Sequence, residues 1–401
     1  MKILLIHKFL YPKGGAETYV LQLGKLLAEN GHEVQYFGLK NEKNTVGNEA
    51  GACVSDLDLT GSIWKNLHAP LRILYNGQAR RKLRAVLEDF LPDVVHFNNI
   101  QYHLTPSVIL ETESFRRTGH PLRIVSTAHD YQLLCPAHGL FNGGGENCER
   151  CLDGNFTHCL RHRCIKGSFL RSFLGMLDAY LWKHSCAYDA VDTIICPSDF
   201  LKKKLDTQDR FRRKTVTIHN FVSPMEAGDG SGGYVLEFGH LSRDKGTYTL
   251  LEAARMLPQV RFVFAGFGEA EEAIKNLPNG EFVGFQQGKA LQELIGHAGV
   301  SICPSLCYEN CPYSVMESQL LGTPVVGSRV GGIPELIREG ETGDLFEAGN
   351  AEELAQKLRR LLAAPEILKT YRENCSKQVF ETTDSYYEKL MAVYGGNYDR
   401  L

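Results

Sequence analysis

An α/β chain of two parallel-sheet halves is what the sequence predicts, and three observations carry that reading. Short apolar, β-rich runs alternate with segments of helical period from residue 2 onward. The alternation stops at a polar stretch, Glu226-Ala227-Gly228-Asp229-Gly230-Ser231-Gly232-Gly233, and then restarts. At 401 residues the chain is long enough for two domains, each with its own core. Strands that alternate with helices imply a parallel sheet covered by helices.

In the first half the predicted strands are Lys2 to His7, Glu33 to Leu39, Asp93 to Asn98, Arg123 to His129 and Thr193 to Pro197. Helix-period segments such as Glu17 to Asn30 and Gln78 to Phe90 lie between them. After Asn220-Phe221-Val222-Ser223-Pro224 the polar stretch reads as a linker or loop, since it has nothing to bury. The second half offers strands near Tyr234 to Phe238, Arg261 to Ala265, Glu281 to Gly284, Val300 to Pro304, Pro324 to Gly327 and Asp344 to Phe346. Helices near Tyr248 to Leu257, Lys289 to Ala298 and Ala351 to Ala363 alternate with them. Open parallel sheets bind ligands beyond the C-terminal ends of their strands, so the active site is expected in the cleft between the halves.

Composition narrows the classes. A net charge of -3 gives no basic footprint for nucleic acid. No run of roughly 18 apolar residues predicts a membrane span. The start, Met1-Lys2-Ile3-Leu4-Leu5-Ile6-His7, reads as a core strand and not a signal peptide, so a cytoplasmic location is expected. In a reducing compartment the twelve cysteines are then thiols or metal ligands.

Four constellations carry chemistry. Lys13-Gly14-Gly15-Ala16-Glu17 follows the first strand and opens a helix, a place where backbone approaches a ligand and the helix terminus favours anions; such a turn is also an ordinary connection. Arg243 and Lys245 in Ser242-Arg243-Asp244-Lys245-Gly246 set two cations at a strand end, suited to a diphosphate or simply to solvent. Glu309 and Glu317 flank Asn310-Cys311-Pro312-Tyr313, where Pro312 marks a helix start and the N–H groups of Tyr313 to Val315 offer an anion site. Carboxylates beside a phosphate cradle make sense if they accept hydrogen bonds from sugar hydroxyls, an arrangement that suits a nucleotide-sugar. Glu317 sits in an apolar helix face and needs a partner, which a ribose diol, an Arg or backbone would supply. His129, in Ala128-His129-Asp130-Tyr131, ends a predicted strand and is suited to hydrogen-bond a substrate hydroxyl or carry a proton; a lone histidine is also commonly structural.

Taken in order, Gly14-Gly15-Ala16-Glu17, Arg243-x-Lys245-Gly246, the Glu309 to Glu317 spacing, Gly322-Thr323-Pro324-Val325 and Gly331-Gly332-Ile333-Pro334-Glu335 resemble family 4 of the glycosyltransferases. These are retaining enzymes of the GT-B fold, two Rossmann-like parallel-sheet domains facing a central cleft. The resemblance implies residues 1–215 as an acceptor-side domain with a Cys-rich insertion at 131–166. It implies 216–382 as the nucleotide-sugar-binding domain and 383–401 as a C-terminal helix crossing back to the first domain, with completion of the second as the alternative. The family's site carries over residue by residue. His129, Glu309, Arg243 and Lys245 would be catalytic. Gly14, Gly15, Arg243, Lys245, Glu309, Asn310, Cys311, Pro312, Tyr313 and Glu317 would bind the donor. Arg243 and Lys245 would take the diphosphate, Glu309 the transferred sugar and Glu317 the ribose, with no catalytic metal.

The implied reaction moves a sugar from a nucleotide-sugar to a carbohydrate or lipid-linked saccharide, in surface polysaccharide biosynthesis. Retention of configuration is attributed to same-face attack, with the leaving diphosphate taking the acceptor proton. Other readings of the same architecture are a nucleotide-sugar epimerase or phosphorylase, or a non-catalytic nucleotide-sugar-binding scaffold. Asn310-Cys311-Pro312 departs from the family's Gly-Phe-Gly, and Cys311 and Pro312 are expected to reshape the sugar pocket.

Two further features stand apart. Cys135, Cys148, Cys151, Cys159 and Cys164 crowd a core-poor segment with spacing C-x12-C-x2-C-x7-C-x4-C. They are expected to hold a structural Zn2+ through Cys135, Cys148, Cys151 and either Cys159 or Cys164. Reactive thiols, a disulfide or an iron–sulfur cluster are the alternatives. Lys166 to Lys183 mixes large apolar and basic residues on a helix, and Arg80-Arg81-Lys82 with Arg84 adds a basic run. Either these dock an anionic membrane at its inner face, or the helix is an ordinary core element.

Overall fold

The computed structural model describes residues 1–56, 69–223, 225–378 and 380–397. Pro224 and the last positions of the expected C-terminal segment, 398–401, lie outside the described residues. The chain forms two compact units, one of Met1–Gly144, Cys148–Ile218 and Asp384–Leu401, the other of Gly145–Asn147 and His219–Thr383.

The first unit runs β1 (Lys2–Ile6), α1 (Gly15–Glu29), β2 (Glu33–Phe37), α2 (Ala69–Leu74), α3 (Gly77–Phe90), β3 (Val94–Phe97), α4 (Ser107–Arg116), β4 (Arg123–Thr127), α5 (Thr157–Arg161), α6 (Phe169–His184), β5 (Thr193–Cys196), α7 (Asp199–Leu205) and β6 (Thr215–Thr217). Its strands are parallel in the order β2-β1-β3-β4-β5-β6. Ile3, Leu4, Leu5 and Ile6 are all fully buried, the unbroken apolar run of a strand covered on both faces. Capping sets the helix ends: the Asn76 side chain accepts from Gln78 N–H and Ala79 N–H at the start of α3, and Leu91 closes it in the left-handed region at φ 50°. The boundary between units falls after Ile218 and not after 215, because Thr215–Thr217 pairs with β5 as a sixth strand.

The second unit runs β7 (Val235–His240), α8 (Thr247–Arg255), β8 (Phe262–Phe267), α9 (Glu271–Lys275), β9 (Gly280–Gly284), α10 (Gly288–His297), β10 (Val300–Cys303), α11 (Tyr313–Leu320), β11 (Val325–Ser328), α12 (Ile333–Leu336), β12 (Gly343–Phe346), α13 (Ala351–Leu362) and α14 (Pro365–Cys375). The strand order is β12-β11-β10-β7-β8-β9, the doubly wound order of nucleotide-binding sheets. Leu250, Leu251, Leu354, Leu358 and Leu361 from α8 and α13 pack with Val235, Phe262 and Phe264 of the sheet. The last helix, α15 (Thr383–Gly395), belongs with the first unit: Tyr386 Oη lies 2.5 Å from Tyr19 Oη, and Tyr394 Oη 2.8 Å from His96 Nδ1.

Candidate active site

In an open α/β sheet, ligands sit where the strand order reverses, outside the carboxyl ends of the strands. In the second unit that point lies between β7 and β10. The two loops leaving it carry the predicted donor residues.

Lys245 and Glu309 meet there. Lys245 Nζ donates to Glu309 Oε1 at 2.6 Å, and Ser305 Oγ donates to the same oxygen at 2.8 Å. Burial opposes the Lys245 charge, but the Glu309 carboxylate outweighs it and holds the ammonium above its usual range. The two loops are laced by backbone: Leu306 N–H and Cys307 N–H both donate to Asp244 C=O, at 2.9 and 3.1 Å. Such closeness requires glycine at 246, where φ is 77° and a Cβ would stand 1.8 Å from Pro304 C=O. Arg243 stays exposed, its guanidinium 4.8 Å from the centre of the Tyr248 ring.

A second glycine fixes Glu309 from below. Gly332 N–H donates to Glu309 C=O at 2.7 Å. Gly331, at φ 60°, leaves no room for a Cβ, which would fall 2.2 Å from that same carbonyl oxygen. Hence the Gly331-Gly332 pair buttresses the site residue it never precedes in sequence.

Glu317 lies in the second turn of α11, and its carboxylate has no hydrogen-bond or ion-pair partner among the described residues. Burial pushes its pKa up to about 7. Of the partners considered from sequence, neither an Arg nor a backbone group meets this carboxylate among the described residues.

Two expectations change. The anion cradle over Tyr313 to Val315 narrows, because Val315 N–H turns back to Pro312 C=O at 3.2 Å. Cys311 does not shape a sugar pocket with its side chain. Its sulfur is buried 3.5 Å from Met316 Sδ, in the core cluster with Val315, Val325 and Ile333, and burial pushes its pKa up to about 12. Only its backbone is polar currency here: Asn220 Nδ2 donates to Cys311 C=O at 3.1 Å.

Sequence reasoning missed Ser305 and Glu237. Glu237 is buried in β7 and accepts from Thr247 Oγ1 at 2.8 Å, and burial lifts its pKa to about 8. A carboxylate inside the apolar run Val235-Leu236-Glu237-Phe238 was the available signal.

In the first unit the strand order reverses between β1 and β3, and the predicted His129 is found beside it. His129 Nε2 lies 2.8 Å from Asn98 Oδ1, and its ring packs edge-on to Tyr19 and His7 at 4.8 and 6.5 Å. His7 was not singled out from sequence. Asn99 N–H donates to His7 Nδ1 at 3.2 Å, so the ring proton is on Nε2 and points to Glu17 Oε1 at 3.0 Å. Burial lowers the pKa of His7, and lowers that of His129 well below the ordinary histidine range. A neutral imidazole that donates or accepts a hydrogen bond is what this environment supports. The Gly14-Gly15 loop has a different geometry from a strained cradle. Gly14 is extended at φ -167°, and a Cβ there would press within 3.2 Å of Glu17 Oε2, the acid of the first turn of α1.

Three of the five clustered cysteines fall together. Cys151 and Cys159 share a buried cluster with Phe156, and Cys164 packs against it. Among the described residues, no group of three His, Cys, Asp or Glu side chains stands ready-set around a metal.

Two Rossmann-like sheets, with a paired lysine and glutamate at the reversal point of the second, define a GT-B protein of the glycosyltransferase class. The comparisons make this specific. Residues 13–226 match the model for Glycosyltransferase Family 4, and residues 232–364 that for Glycosyl transferases group 1. The chain therefore belongs to glycosyltransferase family 4.

Among its relatives, a sulfoquinovosyl transferase of Arabidopsis thaliana is 32% identical over 183 residues, 44% of this chain and 34% of that protein. The amylovoran biosynthesis glycosyltransferase AmsK of Erwinia amylovora is 32% identical over 143 residues, 32% of this chain and 35% of that protein. The match thus spans about a third of each of these two relatives. In fold, the chain is similar to Anabaena HepE, solved in complex with UDP, with a TM-score of 0.69 and 17% identity over 99% of this chain and 100% of that one.

Proposed function

We propose that this protein is a retaining transferase that moves a sugar from a nucleotide-sugar, with a UDP-sugar as the first donor to test, to a saccharide or lipid-linked saccharide acceptor in surface polysaccharide assembly. The observation that carries the reading is the pairing of Lys245 with Glu309 at 2.6 Å, eight residues before Glu317, whose carboxylate has no hydrogen-bond partner among the described residues. A diphosphate takes Lys245 and Arg243 by charge-assisted hydrogen bonds. That releases the Glu309 oxygens to accept from hydroxyls of the transferred sugar. Glu317 accepts from the ribose diol, which makes up the hydrogen bonds its burial denies it. His129, neutral, serves a hydroxyl as a hydrogen-bond partner. HepE's complex with UDP and AmsK's role in amylovoran biosynthesis support the choice of donor class and pathway type.

Thermal shift with UDP-, GDP-, ADP- and CMP-sugars tests it, since a ligand that binds only the folded state raises the melting temperature. Stabilisation by one nucleotide, with slow donor hydrolysis when no acceptor is present, is the expected result. Conversion of the free donor to an epimer favours the epimerase, phosphate-dependent cleavage of a glycan favours the phosphorylase, and binding without turnover favours the scaffold.

For the acceptor side we infer docking on an anionic membrane. No helix among the described residues is long and apolar enough to cross one. Yet α6 leaves Phe169, Phe173, Leu177 and Leu181 exposed at i, i+4 spacing, and α2 leaves Leu71 66% exposed. Lys166 and Arg171 flank that stripe, giving the apolar-plus-basic surface that an anionic interface attracts. Flotation with anionic liposomes should bring the protein up in low salt and less of it in high salt; absence of binding, or binding to neutral liposomes alone, overturns this.

A further inference from the structure

Helix α6 is packed inside out. Phe169, Phe173, Leu177 and Leu181 face solvent, while Ser172, Gly175, Asp178 and Trp182 form the buried stripe. Burying a carboxyl while leucines of the same helix stay exposed runs against the hydrophobic effect and needs a reason. The two small residues have one. Ser172 Oγ accepts from Ile165 N–H at 3.0 Å, and a Cβ on Gly175 would stand 2.3 Å from Ile165 Cδ1, so both seat the chain that enters the helix. Neither reason extends to Asp178.

Asp178 instead lines a cavity of about 270 Å³ whose walls include Gln132, Phe156, Trp182, Tyr188 and Phe211, all within the first unit. The space is far larger than the roughly 30 Å³ share of a single bridging water. It falls just short of the about 300–1,000 Å³ typical of sites for drug-sized ligands, which suits a ligand of one ring.

Polar groups in the wall are left with hydrogen bonds to make. Asp178 is 8% exposed; Trp182 Nε1 donates to its Oδ1 at 2.9 Å, and its second carboxyl oxygen has no partner among the described residues. Burial lifts the pKa of this carboxyl to about 7. Gln132 Oε1 is buried with no hydrogen-bond partner among the described residues. Tyr188 Oη accepts from Gln101 Nε2 at 2.9 Å and has no acceptor for its own proton among the described residues. Buried polar groups ordinarily complete such bonds, because leaving them unmade is costly.

Charge narrows the ligand class. The cations of the same wall are engaged: Lys183 Nζ donates to Gly154 C=O at 3.0 Å, and Arg210 donates to Lys183 C=O and Asp189 Oδ1, both at 2.9 Å. An anion would approach the Asp178 carboxyl, and a cation would approach Lys183 and Arg210, so neither sign is favoured. What fits is a neutral ligand with hydroxyls to give and accept and an apolar face for Phe156, Trp182 and Phe211. A sugar ring has both.

We propose that this cavity is a saccharide-binding site for one neutral sugar unit, whose hydroxyls donate to Asp178 and Gln132 and accept from the Tyr188 hydroxyl. It is built from none of the donor residues. Its use for a unit of the growing glycan rests on the transferase reading; the binding itself does not.

Saturation-transfer NMR on the full-length protein with glucose, galactose, mannose and N-acetylglucosamine tests it. At least one sugar should give signal on its ring protons. That binding should persist in Glu309→Ala and weaken about tenfold in Asp178→Asn, which turns the unpaired oxygen into a donor. If Asp178→Asn does not fold by circular dichroism, Gln132→Ala takes its place and should weaken binding severalfold. Signal from none of the four sugars overturns the proposal, as does binding lost in Glu309→Ala, binding unchanged in the folded cavity variant, or stronger binding of glucuronate or glucosamine than of any neutral sugar. Sugar binding that depends on Asp178 in a protein without transferase activity upholds the cavity and sinks the proposed function.

Discussion

The two units share an architecture and differ in how they treat buried ionisable groups. In the first, the groups beside the sheet reversal are histidines that burial keeps neutral: His7, His129, and His96, whose pKa is pulled down to about 3. In the second they are carboxyls that burial lifts: Glu237 to about 8 and Glu317 to about 7. The same physical cause, loss of water around a charge, acts with opposite sign on a base and on an acid. One site is therefore built from neutral hydrogen-bonding rings, the other from carboxylates that need a cation or a hydroxyl. A donor carrying both phosphate and diols belongs to the second kind.

The largest effect expected follows from that contrast. Lys245→Ala and Glu309→Ala should each lower transfer by on the order of 10²–10³-fold, the scale of losing one fixed electrostatic contact. Circular dichroism should stay native. His129→Ala should cost less, because a neutral ring contributes a hydrogen bond and no charge. Near-normal turnover in both Lys245 and Glu309 variants, or a greater loss at His129, would break the comparison at its strongest point.

Next in size is a backbone effect. Gly331→Ala forces a Cβ into Glu309 C=O and a side chain into the left-handed region, a cost of about 1–3 kcal/mol from the backbone alone. Denaturant melts should show that loss, and donor affinity should fall with it because Glu309 is displaced. A stable Gly331→Ala protein with unchanged donor KM would mean that this loop does not position Glu309.

What the sequence disclosed follows the same division. The alternation of apolar runs and helical periods is local, so both sheets and most strand centres were legible within a residue or two. Thr215–Thr217 was not, since three residues between a lysine-bearing turn and a histidine carry too little pattern to read as a strand. Site residues at strand ends were legible as candidates because the doubly wound order puts them there. Their pairing was not: Lys245 and Glu309 stand 64 residues apart, and only the β7 to β10 adjacency joins them. Nor does alternation decide which way a loop side chain turns, and this is why Cys311 was read as facing the sugar when it packs on Met316.

The contrast between units predicts opposite responses to acid. A buried histidine with a depressed folded pKa lets the unfolded chain bind more protons below pH 6.5, so stability is present above 6.5 and is lost as pH falls toward the folded value. Each such group costs up to about 1.4 kcal/mol per pH unit in that window. Asp178, buried in the first unit and lifted to about 7, opposes this in part. Both tryptophans, Trp64 and Trp182, precede residue 218, so tryptophan fluorescence follows the first stretch of chain. Its melting transition should drop between pH 7 and pH 5; a transition that rises over that range would refute the neutral-histidine account.

The smallest effect isolates one carboxyl of the second unit. Glu237 has a folded pKa raised to about 8, above its unfolded value. Its contribution is complete at acid pH, shrinks as pH rises past the unfolded pKa and is gone above the folded one. Glu237→Gln keeps an oxygen to accept from Thr247 Oγ1 and removes the titration. Near pH 4, below the unfolded carboxyl pKa, the variant should be slightly less stable than wild type or equal to it. By pH 8.5 it should be the more stable of the two, because wild type has by then spent its protonation advantage in burying a carboxyl that the unfolded chain prefers ionised. Denaturant melts followed by circular dichroism at the two pH values measure the crossing. Parallel stability curves for the two proteins would show that Glu237 is solvated in solution, and the sign reversal between the units would then rest on Glu317 alone.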